Sequence, residues 1–404
     1  MVTQDPPRFD THQTDSAHLV LREKILFCHP GYREPRNTLL VLPRVDPATT
    51  SLFGIHHRTA LVACQIIANN AFETGHFTLD KDGQQRVDVP PDGILTDGIY
   101  YFIVGDGPSQ YPVVPSFRDW EFPRARIPDP WSQVPIEFPP AMGRCAVTNF
   151  SICLEDAHLI PKEEAVWYTR NGMNLYGEDL GDIDGPFNLV PLRSDIHKCF
   201  DNRWLAIVPK VTGTEVATTT TSSPQYVTHI FSSRASEYWP TYHNTRVQCL
   251  KTHSPPYIFA RFAWTVLLHV KPFITSGDSR HIIRLHVSSD AEGTRMEQKA
   301  EFLSGAELKN SYGGGDSKNA TPRKRSAVGS AADDGNLIEA GDNSDSSDSS
   351  VDGNFWDDMM YDWETRGKRR QHQISTETDP NMMPEGDNKT LTDVDWIRVE
   401  ESPV

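Results

Sequence analysis

The sequence predicts an α+β protein, with a small N-terminal α+β domain, a central ββα unit, a helical C-terminal extension and a disordered acidic tail. Residues 20–28 and 38–45 are rich in β-branched and apolar side chains and flank Pro30-Gly31, which predicts two strands and a turn. Residues 57–70 have the apolar spacing of an amphipathic helix. Residues 256–269 are apolar nearly all round, which predicts a buried helix.

Shifts in composition divide the chain into segments. A hairpin is predicted at Asp82-Gly83, followed by an aromatic strand at 99–104. After a Thr/Ser run at 212–223, helices are predicted around 225–238 and again at 256–269, and order is predicted to fade from Thr275. The predicted segments are 1–16 (disordered), 17–106 (small α+β domain), 107–142 (arm rich in proline and aromatic residues), 143–211 (ββα unit), 224–275 (helical extension) and 311–404 (disordered acidic tail).

Two features of the N-terminal third invite a functional interpretation. His56 and His57 are adjacent, so on a helix they point about 100° apart and converge poorly on a metal, which favours an exposed helix start. The aromatic residues of the 107–142 arm indicate an extended segment packed on a domain. A stacking surface for single-stranded nucleic acid is the alternative, but no basic groove accompanies it.

The formal net charge of the 404-residue chain is −16. From Glu301 onward there are 22 acidic and 11 basic residues, a balance of −11, so the first 300 residues carry −5. An acidic balance opposes nucleic-acid binding, because affinity for the phosphate backbone comes largely from Lys and Arg. Any positive surface must therefore be local or supplied by a partner, and the local candidates in the central stretch are Arg193, Lys198, Arg203 and Lys210.

The central stretch from Cys145 to Lys210 carries the strongest functional signal. Residues 145–160 predict two short strands around a turn, with His158 ending the second strand just before Pro161. An apolar run at 189–192 precedes Ser194, a good N-cap, and the short helix 195–201. On that helix His197 and Asp201 are four residues apart, so both can point at one ion.

The insert between these two halves is predicted to hold a helix at 162–173, anchored by Trp167 and Tyr168, and then an acidic loop at 177–185. The acids of the loop are Asp179, Asp182 and Asp184, and a solvated loop is the default interpretation because the spacing of a calcium loop is missing.

With these residues in their order, the stretch resembles the HNH endonucleases, and in particular uncharacterised HNH proteins of fungi. The interval of nine residues from Asn188 to His197 is the usual interval of that family. The matching residues are Cys145, Thr148, Leu154, Glu155, Ala157 to Pro161, Asn188, Leu192, Arg193, Asp195, His197, Phe200, Asp201 and Val208 to Lys210.

The resemblance implies a ββα-metal fold and a role for each site residue. His158 would be the general base that takes a proton from the attacking water, and Asn188 would support the site by pinning the loop that faces this base. His197 and Asp201 would hold one divalent metal ion.

The sequence departs from the better-known HNH pattern at one position. Many HNH enzymes have an Asp or His metal ligand immediately before the base, where this chain has Ala157. With two protein ligands, Mg²⁺ or Mn²⁺ is favoured over Zn²⁺. Glu155 or Asp156 could compensate, although strand alternation aims at most one of them well. Asp195 and Arg193 are further candidates for a supporting role.

The leading functional hypothesis is a metal-dependent endonuclease that hydrolyses nucleic-acid phosphodiester bonds, with DNA favoured over RNA. The alternatives are a catalytically silent HNH-fold module that binds nucleic acid or protein, and a scaffold without nucleic-acid contact. An acidic aromatic segment at 355–363 could bind a protein partner.

The predicted location is intracellular and away from membranes. The basic clusters 323–325 and 368–370 could act as nuclear-localisation signals. No Cys-x-x-Cys pair occurs, so Cys145, Cys153 and Cys199 are predicted to be buried free thiols and not zinc ligands.

Overall fold

The computed structural model describes residues 23–124, 126–132, 134, 143–177, 182–211, 224–248, 250–290 and 293–313. The predictions for the N-terminal segment, the Thr/Ser run, the basic clusters and the acidic tail beyond residue 313 lie outside these ranges. Within them the chain contains both helices and strands, as the α+β class predicts. None of the helices in these ranges has the length and apolar character needed to cross a membrane.

A four-stranded sheet organises the N-terminal part, in the order β2 (Thr38–Pro43), β1 (Lys24–Cys28), β7 (Ile99–Val104) and β5 (Gly75–Thr78). Strands β1 and β7 run parallel, and the other two pairings are antiparallel. A second sheet of short strands has the order β3-β4-β6, and helix α1 follows β4 directly. The elements are β1 Lys24–Cys28, β2 Thr38–Pro43, β3 Asp46–Pro47, β4 Phe53–His56, α1 His57–Ile67, β5 Gly75–Thr78, β6 Ile94–Leu95 and β7 Ile99–Val104.

The predicted hairpin at Asp82-Gly83 is shorter than the sequence indicates. Residue Thr78 forms a single antiparallel bridge with Arg86, and the main partner of β5 is β7. Gly83 has φ +76°, which is the left-handed turn conformation that glycine adopts without strain.

The prediction of an exposed helix start at the adjacent histidines is wrong, because His56 and His57 are only 3% and 8% exposed. The ring of His56 is hydrogen-bonded through Nδ1 to Thr59 Oγ1 at 2.8 Å. The His57 Nδ1–H donates to the carbonyl of Val89 at 2.8 Å. Both rings are therefore buried parts of the core, each held through its Nδ1, and the sequence offered no local signal for this.

His29 is a further buried histidine of this region, and its hydrogen bonds define its tautomer. Because a carbonyl only accepts, His29 Nε2 donates to Tyr111 O at 3.1 Å, while Gly31 N–H donates to Nδ1 at 3.0 Å. Burial lowers the pKa of His29 to about 3. The folded protein therefore keeps this ring neutral at pH values where the unfolded chain protonates it.

We expect the free energy of unfolding to fall as pH drops below the unfolded histidine pKa of about 6.5, by up to about 1.4 kcal/mol per pH unit from His29 alone. Denaturant unfolding of wild type and of His29→Gln between pH 5 and 6.5 measures this slope. The slope should be smaller in His29→Gln than in wild type. Equal slopes in wild type and His29→Gln would contradict the account.

The arm at 107–142 contributes large aromatic side chains to the core. Trp120 stacks on Trp167 with ring centroids 5.6 Å apart, and its Nε1–H donates to Asn70 Oδ1 at 2.8 Å. Trp131 is 1% exposed and packs against Phe262. These buried rings are not available for stacking on single-stranded nucleic acid.

The central part forms one antiparallel hairpin and a helix, followed by a second hairpin. Two predictions are corrected here. Residues 145–153 form turns and not a first strand, because the partner of strand β8 (Leu154–His158) is β9 (Leu189–Arg193), on the far side of the insert. The helix predicted around 225–238 is a strand over most of its first half, because Tyr226 to Ile230 pair along β10. The elements are β8 Leu154–His158, α2 Ala165–Arg170, β9 Leu189–Arg193, α3 Ser194–Asp201, β10 Leu205–Val211 and β11 Pro224–Ile230.

The C-terminal part is ordered further than the sequence predicts. A long hairpin pairs β12 with β13 beyond residue 275, where order was predicted to fade. The buried helix predicted at 256–269 is confirmed, and two prolines at its start suit the first helical turn. The elements are α4 Trp239–Tyr242, α5 Pro255–His269, α6 Lys271–Thr275, β12 Arg280–Asp290, β13 Gly293–Leu303, α7 Gly305–Leu308 and a π-helical turn Lys309–Gly313.

Candidate active site

His158 lies at the C-terminal end of β8, where the sequence predicts it. In the β8–β9 ladder it pairs with Leu189, and Pro161 follows directly after the strand. Its side chain is 19% exposed, and Nε2 lies 2.8 Å from Asp184 Oδ1. The same carboxylate oxygen lies 2.8 Å from the ammonium group of Lys162. A partly exposed imidazole with a carboxylate partner can exchange protons with a bound water.

Asn188 joins the two chain segments that flank this histidine. Its Oδ1 accepts from Ile160 N–H at 2.7 Å, and its Nδ2 donates to Ile160 O at 3.0 Å and to Ile183 O at 2.8 Å. The side chain is 1% exposed, so these bonds form away from water. Asn188 therefore holds the segment after His158 against the loop that carries Asp184.

His197 and Asp201 share one face of α3, as their spacing predicts. His197 Nε2 lies 3.2 Å from Asp201 Oδ2, and His197 Nδ1 lies 2.7 Å from Glu155 Oε2 on β8. The hydrogen bonds to Asp201 and to Glu155 raise the pKa of His197. Burial opposes the ionisation of Asp201, but the bond from His197 and the charge of Arg261 still hold its pKa below the ordinary value.

This arrangement fits a metal ion held by one carboxylate and one ring nitrogen. Glu155 and Asp201 contact opposite nitrogens of His197. One carboxylate can therefore bind a metal ion together with the ring, while the other carboxylate orients the ring by a hydrogen bond. Glu155 lies on the same face of β8 as Ala157, two residues away, and Ala157 is fully buried. Of the two acids on β8, the structure thus brings Glu155 into contact with His197, whereas Asp156 is exposed on the other face.

Arg261 on α5 joins His158 to the pair His197 and Asp201, a contact that the sequence did not indicate. Its NH1 donates to His158 O at 3.2 Å, and its NH2 donates to Phe200 O at 2.6 Å and to Asp201 Oδ1 at 3.3 Å. The side chain is 1% exposed, and burial lowers its pKa to about 10, so it stays charged at neutral pH. Because Arg261 occupies Oδ1 of Asp201, Oδ2 is the oxygen left for a metal ion.

Arg193 and Asp195 form their own ion pair and are not directed at His197. Two parallel hydrogen bonds of 2.6 Å join the guanidinium and the carboxylate, and Arg193 lowers the pKa of Asp195. The Arg193 NH2 also donates to the hydroxyl of Tyr242 at 3.3 Å. The pair is adjacent to the site in sequence, and the structure shows it bracing the start of α3.

The local positive surface predicted in this stretch is smaller than the sequence indicates. Lys198 is exposed on α3, but Lys210 is 7% exposed and its ammonium group lies 2.5 Å from Asp46 Oδ1. The guanidinium of Arg203 packs over the ring of Trp264, 3.4 Å from its centroid. Lys210 and Arg203 are therefore engaged in the fold.

The Cys-x-x-Thr turn braces the hairpin by sulfur hydrogen bonds. Cys145 Sγ accepts from Thr148 N–H at 3.4 Å and from Arg193 N–H at 3.2 Å. Cys145 and Cys199 are buried free thiols, as predicted, whereas Cys153 is exposed.

A second group, Asp46, His229 and His243, has the spacing of a possible metal site, with ligand atoms within 4.8 Å of one another. Ile230 N–H donates to Nδ1 of His243, so the ring proton is on Nε2 and points at Asp46 Oδ1, 2.9 Å away. Burial alone would raise the pKa of Asp46, but Lys210 and His243 hold it well below the ordinary value. These residues fit a buried ion pair better than a metal centre.

The part of the chain that carries this site matches a known protein family. Residues 145–208 match the family model for HNH endonucleases. The matched HNH segment begins at Cys145 and contains β8, β9, α3 and the first part of β10. Neither curated proteins nor solved structures give a match to the chain. The narrower resemblance to fungal HNH proteins thus has no counterpart in these comparisons.

The HNH match has two consequences for the site. HNH endonucleases typically use a divalent metal ion, and the substrate that the segment implies is a nucleic acid.

The contacts that the sequence analysis missed are those of Asp184 and Arg261. Asp184 comes from the insert within the HNH segment, and Arg261 comes from a helix beyond it. The acidic composition of the insert was the one available signal for Asp184.

Proposed function

We propose that this chain is an HNH-type endonuclease that hydrolyses phosphodiester bonds of nucleic acid, with DNA favoured over RNA. The observation that carries the proposal is that the buried Arg261 donates both to the backbone carbonyl of His158 and to Asp201, the partner of His197, so that one side chain links these residues of the HNH segment. A catalytically silent binding module is not favoured by this arrangement.

In the proposed reaction, His158 accepts the proton of the attacking water. Asn188 and Arg261 hold the backbone around it, so that the imidazole keeps its position when substrate binds. Lys198 is the exposed cation beside His197 and is suited to contact a phosphate of the backbone.

His197 and Asp201 would hold the divalent metal ion through Nε2 and Oδ2, with Glu155 accepting a hydrogen bond from the other ring nitrogen. When bound, Mg²⁺ or Mn²⁺ supplies a Lewis acid that polarises the scissile phosphate and neutralises the leaving oxygen. The mixture of carboxylate and single imidazole favours these ions over Zn²⁺, whose structural sites use more nitrogen and sulfur ligands.

The metal assignment predicts different effects for a histidine and an acid on the same helix, α3. His197→Ala should lower the affinity for Mn²⁺ by about 10-fold or more, because it removes the ring that Asp201 and Glu155 flank. Asp195→Asn should leave that affinity unchanged, because Asp195 faces Arg193. Titration calorimetry with Mn²⁺ on the three proteins measures this directly. Equal affinities in wild type and His197→Ala would place the ion elsewhere.

A further inference from the structure

The insert of the HNH segment supplies a carboxylate to the imidazole of His158. Asp184 Oδ1 lies 2.8 Å from His158 Nε2, which is a hydrogen-bond distance. We propose that Asp184 is the positioning residue of His158: it fixes the ring so that Nε2 carries the proton and Nδ1 presents its lone pair to the attacking water. This proposal rests on the proposed function and assigns a role within that same site.

The hydrogen-bonding chemistry of the pair defines the tautomer. The hydrogen bonds from Lys162 and from His158 hold the pKa of Asp184 below its ordinary value, so the carboxylate is ionised at neutral pH. An ionised carboxylate only accepts hydrogen bonds, so Nε2 of His158 must be the donor. In the neutral imidazole the other nitrogen, Nδ1, then has no proton and can act as the base.

The backbone of the loop aims Asp184 at this position. Asp184 N–H donates to Asp182 Oδ1 at 2.9 Å, and Gly185 N–H donates to Asp182 O at 3.0 Å, which closes a tight turn around the residue. Both neighbours of Asp184 are bonded to Asn188. Ile183 O accepts from the side-chain Nδ2 of Asn188, and Gly185 O accepts from its backbone N–H at 3.0 Å. The same Asn188 side chain binds Ile160, two residues after the base. One buried amide therefore sets the distance between His158 and Asp184.

Two other roles for Asp184 fit the contacts less well. A metal ligand would have to share its oxygen with the Lys162 ammonium group, 2.8 Å away, whose charge repels a divalent cation. A simple solvated loop does not account for the paired contacts of Asp184 with His158 and Lys162, nor for the anchoring of both neighbouring residues by Asn188. The pair matches the general pattern in which a carboxylate orients a catalytic histidine.

The test compares wild type, Asp184→Asn and the matched control Lys162→Met, which removes the other partner of the same carboxylate. Ring ¹⁵N chemical shifts, with His158 assigned from a His158→Gln variant, report which nitrogen carries the proton without any need for activity. Plasmid cleavage in Mn²⁺ at a series of DNA concentrations separates kcat from KM.

We expect the Nε2–H tautomer in wild type and in Lys162→Met, and a mixture of tautomers in Asp184→Asn. The kcat of Asp184→Asn should fall by about 10–100-fold with KM little changed, the loss that is typical when a carboxylate that orients a metal-bound histidine is replaced. The same tautomer in all three proteins, or a kcat in Asp184→Asn equal to or above that of wild type, would overturn the proposal. A wild type with the locked tautomer but without cleavage would support the pairing and overturn the proposed function instead.

Discussion

Lys210→Met is expected to lower the free energy of unfolding by about 3–5 kcal/mol, the usual cost of removing one partner of a buried ion pair. The carboxylate of Asp46 is 2% exposed and receives Lys210 Nζ at 2.5 Å, so the substitution leaves a buried negative charge without its cation. Asn244 and His243 still donate to the same oxygen and offset part of the loss. Because Asp46 lies on β3 and Lys210 on β10, this pair ties the β3-β4-β6 sheet to the strand in which the HNH segment ends.

Denaturant unfolding of single and double variants tests this cost. The double variant Asp46→Asn/Lys210→Met should be less destabilised than the sum of the two single variants, because each removes the charge that the other leaves unpaired. Arg36→Met is the matched control, since it breaks an exposed ion pair of 2.8 Å with Asp278 and should cost about 0–1 kcal/mol. Additive single effects, or a loss in Lys210→Met no larger than in Arg36→Met, would show that the pair does not stabilise this interface.

His158→Ala is expected to reduce nucleic-acid cleavage by about 10²–10⁴-fold, the usual contribution of a positioned general base. The substitution leaves His197 in contact with Asp201 and with Glu155, so the affinity for Mn²⁺ should stay near that of wild type. Initial rates on plasmid DNA and a parallel Mn²⁺ titration measure the two effects separately.

His76→Ala is the control for this substitution, because it removes a partly exposed histidine of β5, outside the HNH segment. Its cleavage rate should equal that of wild type. A parallel loss of cleavage and of metal affinity in His158→Ala would mean that His158 acts as a ligand, and an unchanged rate would remove it from the chemistry.

The sequence predicted those parts of the site that depend on neighbours along the chain. The position of His158 follows from the strand that ends before Pro161, and the pairing of His197 with Asp201 follows from the helical spacing of four. The HNH resemblance rested on the same local residues, and the family match covers all of them except Pro209 and Lys210. The buried helix α5 also followed from local sequence, because residues 256–269 are apolar nearly all round.

The contacts between distant residues could not be read from local patterns. Strand β8 pairs with β9 across the whole insert, so the first strand predicted at residues 145–153 had no partner. The prediction of a helix at 225–238 failed at its start, where the β-branched residues favour a strand. Pairing with β10, which the local sequence does not reveal, decides the structure there. Arg261 lies on α5, more than 50 residues after α3 in the sequence. Apart from being a charged residue in a buried helix, nothing in the sequence of α5 indicates that Arg261 contacts the site.

Plasmid nicking by the purified 404-residue chain tests the central claim most directly, with Mg²⁺, with Mn²⁺ and with an excess of EDTA, for wild type and His158→Ala in parallel. The account predicts that wild type converts supercoiled DNA to the nicked form with either ion, that EDTA stops the reaction, and that His158→Ala is at least about 100-fold slower under the same conditions. Cleavage that persists in EDTA, or equal cleavage by wild type and His158→Ala, would contradict it.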